Sequence, residues 1–168
     1  MYHEQFLALA AYNRWANGRL YGAAEALTSE QFHADRGVFF RSLSGTLNHL
    51  LCADRIWLRR LTGSGDAPDR LDAILFEDLE PLSRARRAED ERLEDYVMGL
   101  TEADLAATFR YSPITRPGVI EGRIGPTLLH VFNHQAHHRG QAHAVITGFG
   151  HGGPSMDLVA FLRETGRG

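Results

Sequence analysis

Residues 125–147 read GPTLLHVFNHQAHHRGQAHAVIT and hold five of the nine histidines of the chain. An α-helix advances about 100° per residue, so residues four apart share a face. His134 and His138 therefore present their imidazoles one above the other and can bind one metal ion together. Pro126 in the first turn and Gly148 after the last turn favour a helix over this stretch.

One face of this predicted helix carries Thr127, His130, Val131, His134, His138, Gln141 and Val145. Solvated surface histidines, or core histidines bonded to carbonyl groups, are the structural alternative to a metal site. The valine and threonine on the same face favour the metal site, because they indicate that this face points inward. His137 and His143 point further round the helix and are expected at the surface or at an interface.

Length and composition limit the class of protein. A chain of 168 residues with 43% hydrophobic and 23% charged residues is predicted to be a single domain, residues 1–168. Its net charge of −3 offers no basic surface for nucleic acid. No apolar run reaches the roughly 18 residues of a membrane span, and no signal peptide is recognisable at the N-terminus. The single cysteine, Cys52, has no partner for an internal disulfide. A cytoplasmic protein with a small-molecule substrate, and without nucleic-acid or membrane partners, is expected.

Three further long helices follow from apolar residues repeating every three to four positions, over residues 2–27, 42–62 and 78–99. Residues 106–123 lose this period and are expected to form a short hairpin or irregular flap before the histidine helix. A short helix near residues 156–164 closes the chain. These elements predict an all-α four-helix bundle with a core that can hold a cofactor.

His49 lies at the edge of the leucine stripe of the second helix and is either a hydrogen-bonded core histidine or a third metal ligand. The two candidate ligands on the histidine helix favour the ligand role, because a metal site needs a third. Asp54 falls within that stripe and is expected either to orient a ligand histidine or to pair with an arginine. Cys52 is interpreted as a small buried hydrophobic residue rather than a nucleophile. On the third helix, Arg86 and Glu89 are three positions apart and are expected to pair.

Two asparagines, Asn13 and Asn17, interrupt the apolar stripe of the first helix. A buried amide must find hydrogen-bond partners, so the pair either ties helices together or forms a polar shell around a cofactor. Both are therefore kept as candidate cofactor-binding residues.

Three neutral imidazoles, from His49, His134 and His138, match a catalytic metal site, because structural zinc is normally closed by four ligands. Such an open site lowers the pKa of a bound water, or holds a thiolate or carbonyl oxygen. Gln141 is a candidate to contact a metal-bound water or the substrate. His130 is a candidate fourth ligand or acid–base catalyst. Imidazole accepts zinc, nickel, manganese and iron, with zinc or nickel preferred here.

Three segments carry a family resemblance: YNRWAN at 12–17, TLNHLLCADRIWL at 46–58 and HVFNHQAHHRGQ at 130–141. In order and spacing they resemble the signature segments of the DinB/YfiT-like family of metalloenzymes. The resemblance implies an antiparallel, up-down four-helix bundle, often homodimeric, with His49, His134 and His138 as the metal ligands. Relatives in the wider superfamily include transferases and isomerases that use low-molecular-weight thiols such as bacillithiol or mycothiol.

Two functions follow as hypotheses. The first is a metal-dependent enzyme of the thiol-dependent S-transferase or hydrolase type. The second is a non-catalytic, stress-related bundle protein that binds a metal or a small molecule. A bundle whose histidines hold no metal is the structural alternative to both.

Overall fold

A computed structural model describes residues 2–167 of the chain. This part forms seven α-helices and one antiparallel pair of strands. The elements are α1 (Tyr2–Ala24), α2 (Ser29–His33), α3 (Leu43–Thr62), α4 (Leu79–Met98), α5 (Glu102–Ala106), β1 (Thr108–Tyr111), β2 (Ile120–Arg123), α6 (Ile124–Gly148) and α7 (Leu158–Thr165). The strands pair with Thr108 opposite Arg123 and Tyr111 opposite Ile120. None of the helices within residues 2–167 is both long and apolar enough to cross a membrane.

Local capping interactions set the ends of helix α3. The Ser42 side chain accepts a hydrogen bond from the backbone N–H of Gly45, which satisfies a free donor of the first turn. Gly63 ends the helix in the left-handed conformation, with φ of 73°, which costs a glycine little. The same logic starts α2, where Thr28 and Gln31 form a reciprocal capping box.

Four helices form the bundle: α1 packs against α4 and α6, and α3 packs against the same two. Their buried apolar side chains form two clusters, one around Leu47, Leu50 and Ile146, the other around Leu58, Leu93 and Leu128. Buried polar and charged side chains separate the clusters: Asn13, Asn17, Asp54, Arg86, Asp90 and Arg139. The core is therefore a polar layer between two apolar ones, and the all-α bundle is confirmed.

The order of these layers along each helix gives the helix directions. Helices α3 and α4 run from the Leu47 cluster to the Leu58 cluster, whereas α1 and α6 run the opposite way. The chain is therefore up-down-down-up, and α3 and α4 are parallel where strict alternation was expected. The long connection 63–78 explains the difference, because it runs back along α3 before α4 begins. Along this path the Leu71 carbonyl accepts a hydrogen bond from His49, and the Phe76 carbonyl accepts one from Asn48.

Candidate metal centre

His49 of α3 meets His134 and His138 of α6 at the seam between the two helices. One ring nitrogen from each side chain lies within 4.8 Å of the corresponding atoms of the other two. The Nε2 atoms of His49 and His134 are 3.1 Å apart. The ring centroid of His138 is 4.5 Å from each of the other two. The structure thus brings together the three residues that the sequence predicted as metal ligands.

The second ring nitrogen of two of these histidines is held by an acceptor of the protein. His49 Nδ1 donates to the Leu71 carbonyl over 2.7 Å, and His138 Nδ1 donates to Gln141 Oε1 over 2.8 Å. Each bond places the ring proton on Nδ1 and leaves the Nε2 lone pair free for an ion. Metal-binding histidines are commonly oriented in this way, so the donor set fits a divalent cation.

Burial keeps the three imidazoles neutral. Loss of hydration lowers the pKa of His49 to about 4 and that of His134 to about 3. Burial also lowers the pKa of His138, and the neighbouring imidazoles lower the pKa of His134 further. A neutral imidazole has the lone pair that a cation needs, so all three can act as ligands at neutral pH.

The cluster opens on one side into a cleft of about 450 Å³. The walls of the cleft are largely apolar and aromatic, with contributions from Ile56, Trp57, Tyr111, Ile114 and Ile120. Within residues 2–167, no fourth histidine, cysteine or carboxylate joins the three-histidine group. An ion bound there would keep coordination positions facing the cleft, as catalytic sites do.

His130 lies on the wall of this cleft rather than among the grouped ligands. Its ring centroid is 5.3 Å from that of Trp57 and 5.9 Å from that of His134. Of its two predicted roles, this position is compatible with acid–base work on a molecule in the cleft.

Gln141, the candidate for contact with a bound water or the substrate, is hydrogen-bonded to two histidines. Its Oε1 accepts from His138, and its Nε2 lies 3.1 Å from Nε2 of His137. These contacts orient the ring of His138, one of the three candidate ligands. His137 is exposed and His143 half-buried, in line with the sequence interpretation.

Phe40 is a site residue that sequence reasoning missed. Its ring stacks on His49, with centroids 3.7 Å apart and planes at 18°, and meets His138 edge-on at 5.5 Å. The Phe40 segment can approach α3 closely because residue 45 is glycine: a Cβ there would collide with the Phe40 carbonyl oxygen. The sequence signal that could have indicated this contact is Gly45 in the first turn of α3, five residues after the aromatic pair Phe39 and Phe40.

Asp54 takes the arginine-pairing alternative. Its Oδ2 lies 2.8 Å from Nη2 of Arg86, which is also 3.1 Å from Oδ1 of Asp90. Burial raises the pKa of both carboxyls, and the Arg86 guanidinium opposes that effect. The expected pairing of Arg86 with Glu89 is wrong, because Arg86 turns into the core whereas Glu89 pairs with Arg92.

Asn13 and Asn17 bridge the same buried layer. Both amide groups donate to Oδ1 of Asp90, and both side-chain oxygens accept from Arg139. These bonds connect α1 to α4 and α6, as expected if the two asparagines hold helices together. Neither amide lines the cleft beside the three histidines.

Cys52 is fully buried, and its thiol donates to the Ala73 carbonyl over 3.3 Å. Burial raises its pKa to about 11, so it remains a protonated thiol at neutral pH. This matches the interpretation of Cys52 as a small core residue.

The fold and the site together define an all-α bundle with three histidines at a helix seam, a group that could hold a metal ion beside a cleft. The DinB family model matches residues 1–168, so the chain belongs to the DinB family. It is 26% identical to Protein DinB of Bacillus subtilis (strain 168) in an alignment 166 residues long that covers 94% of this chain and 93% of that protein.

The fold is also similar to that of a DinB-like protein from Bacillus cereus ATCC 10987, known from a crystal structure. The TM-score is 0.71 and the sequence identity 18%, over 92% of this chain and 99% of the other. The family expectation drawn from the three sequence segments is therefore confirmed, and so is the all-α bundle fold.

Proposed function

We propose that this protein is a divalent-metal-dependent enzyme of the thiol-dependent S-transferase or hydrolase type. The observation that carries the proposal is the convergence of three neutral imidazoles beside an open apolar cleft. A divalent ion held by His49, His134 and His138 would act as a Lewis acid that polarises a carbonyl or lowers the pKa of a thiol or water. Zinc or nickel is the preferred ion, with manganese or iron as alternatives.

The residues around the site would prepare this chemistry. The Leu71 carbonyl and Gln141 hold two of the ligand rings in one tautomer and one orientation. Phe40 covers one face of His49 and shields the cluster from water on that side. Substrate would enter through the cleft, which Phe40 does not line.

His130 is the proposed acid–base residue. It stands one helical turn before His134 and faces the cleft, where it could take a proton from a nucleophile or give one to a leaving group. His130→Gln is expected to lower turnover while leaving metal content unchanged. Loss of metal in this variant would instead assign His130 to the ligand set.

The decisive experiment is elemental analysis of tag-free protein beside the alanine variants of His49, His134 and His138. Near-stoichiometric metal in the wild type, lost in each variant, is the expected result. Metal-loaded protein is then assayed against electrophiles with low-molecular-weight thiols, bacillithiol and mycothiol included, and against hydrolysable esters and amides. Absence of metal after loading with zinc, nickel, manganese or iron would overturn the proposal.

The alternative function is a non-catalytic metal-binding protein, and the same metal-loaded samples can test it. Paramagnetic relaxation of solvent water by manganese-loaded protein measures whether coordination positions are open. The open side of the cluster predicts fast water exchange, and a closed ion with no turnover would favour the binding protein. The homodimer implied by the family resemblance belongs to the proposal and is tested by light scattering at several concentrations.

A further inference from the structure

The cleft beside the three histidines has a cationic end that the proposed chemistry does not use. Arg60 lines the cleft on the same face of α3 as His49, eleven residues further along. At 1.5 Å per residue, the two positions are about 16 Å apart along the helix. The cleft therefore has donor nitrogens at one end and a guanidinium toward the other, with an apolar wall between them.

The Arg60 guanidinium is held in place mainly by aromatic rings. Its central carbon lies 4.5 Å from the ring centroid of Trp57 and 4.8 Å from that of Tyr111. One of its nitrogens donates to the Ser112 carbonyl over 3.2 Å. This stacking fixes the plane of the guanidinium, which favours bidentate recognition of an oxyanion.

The charge of Arg60 lacks an acidic partner within the described part of the chain, residues 2–167. Burial lowers the pKa of Arg60, and among residues 2–167 the Tyr111 hydroxyl opposes this effect. By contrast, Arg86 in the core is matched by two carboxylates. A half-buried guanidinium without a carboxylate gains more from a bound anion than a fully hydrated one does.

We propose that this cleft selects elongated apolar molecules that end in an oxyanion, a carboxylate or a phosphate, with Arg60 as the residue that binds the anion. The apolar body of such a molecule would lie along Ile56, Trp57 and Ile120, and its other end would reach the histidines. Arg116 of the 112–119 connection lines the same cleft and adds a second, more exposed positive charge. This role of Arg60 rests on the proposed function in one respect, since it treats the cleft as the site where substrate binds.

Calorimetric titration of metal-free protein with octanoate, octyl phosphate and 1-octanol tests the proposal independently of any metal. Wild-type protein is expected to bind at least one of the two anions about tenfold or more tighter than octanol, the typical effect of a charge-assisted hydrogen bond. Arg60→Gln is expected to abolish this preference and to leave octanol affinity unchanged. Arg60→Lys retains a positive charge and should keep part of the preference.

The neighbouring Arg59 provides the matched control. It is exposed on the same helix and does not line this cleft, so Arg59→Gln removes the same charge without touching the site. This variant should keep the full preference for the anions, and Arg116→Gln should lose less of it than Arg60→Gln. Equal affinity of the wild type for octanol and both anions would overturn the proposal, as would a full preference in Arg60→Gln. Metal analysis is a separate measurement, so failure here and failure of the metal site are distinguishable.

Discussion

Replacement of Gln141 by leucine tests whether a single side-chain acceptor prepares a ligand histidine. Gln141 Oε1 accepts from His138 Nδ1 over 2.8 Å and so favours the tautomer with a free Nε2 lone pair. Leucine has a similar size but no acceptor. The ring of His138 would then be free to rotate and to exchange tautomers.

The expected loss is one of metal affinity. Removing the outer partner of a ligand histidine typically weakens metal binding about 10- to 100-fold. That range corresponds to about 1.4 to 2.8 kcal/mol of binding free energy. Only one of the three candidate ligands loses its partner, since His49 is oriented by the backbone carbonyl of Leu71. Competition with a chromophoric chelator for zinc measures the affinity of both proteins.

A second measurement detects the cause without any metal. Long-range ¹⁵N NMR of the metal-free protein distinguishes the two neutral tautomers of His138. The wild type is expected to show the Nδ1–H form, and Gln141→Leu a mixture. Gln141→Glu keeps an acceptor and should restore the Nδ1–H form. Because Gln141 also contacts His137, His137→Ala serves as the control and should leave zinc affinity unchanged. Wild-type affinity together with the wild-type tautomer in Gln141→Leu would refute the reasoning.

Three further predictions concern stability. Gly45→Ala would drive a Cβ into the Phe40 carbonyl and is expected to lower the free energy of unfolding by about 1 to 3 kcal/mol in urea titrations; Gly18→Ala, with open space around it, should be neutral or stabilising. Arg86→Met removes the guanidinium from two buried carboxylates and should cost about 3 to 5 kcal/mol by the same measurement, so a loss below about 1 kcal/mol would contradict the pairing. Burial lowers the pKa of His134 to about 3 in the folded metal-free protein, against about 6.5 in the unfolded chain. Below pH 6.5 the unfolded chain therefore binds a proton at this histidine that the folded protein does not. Stability should therefore fall as the pH drops from 6.5 toward 4, and less steeply in His134→Ala; identical pH profiles would argue against a buried neutral imidazole.

Much of the secondary structure and part of the site could be predicted from local sequence. The caps at Ser42 and Thr28 lie within a few residues of the groups they satisfy, so their spacing alone predicts the helix starts. The pairing of His134 with His138 depends only on the pitch of one helix. His49 was predicted by its position on an inward face and by the family resemblance.

Other features were not predictable because they depend on how distant segments pack. The direction of α4 follows from the return path of the 63–78 connection, which carries no regular period. The same path brings the Leu71 carbonyl to His49, and a backbone carbonyl has no signature in the sequence. Arg86 was expected to pair with Glu89, three positions away on the same helix. In the packed core it pairs instead with the buried carboxylates of Asp54 and Asp90.

The sequence by itself determined the helices, the inward faces and the identity of the three candidate ligands, because helical period and capping act over a few residues. Only the tertiary structure decided what surrounds those candidate ligands: the stacked Phe40 ring, the acceptors on the second ring nitrogens of His49 and His138, and the cleft that Arg60 lines. Each of these contacts joins residues brought together by helix packing or by a return of the chain. The physical reason is that burial and partner choice depend on the whole packed core, whereas the period of a helix does not.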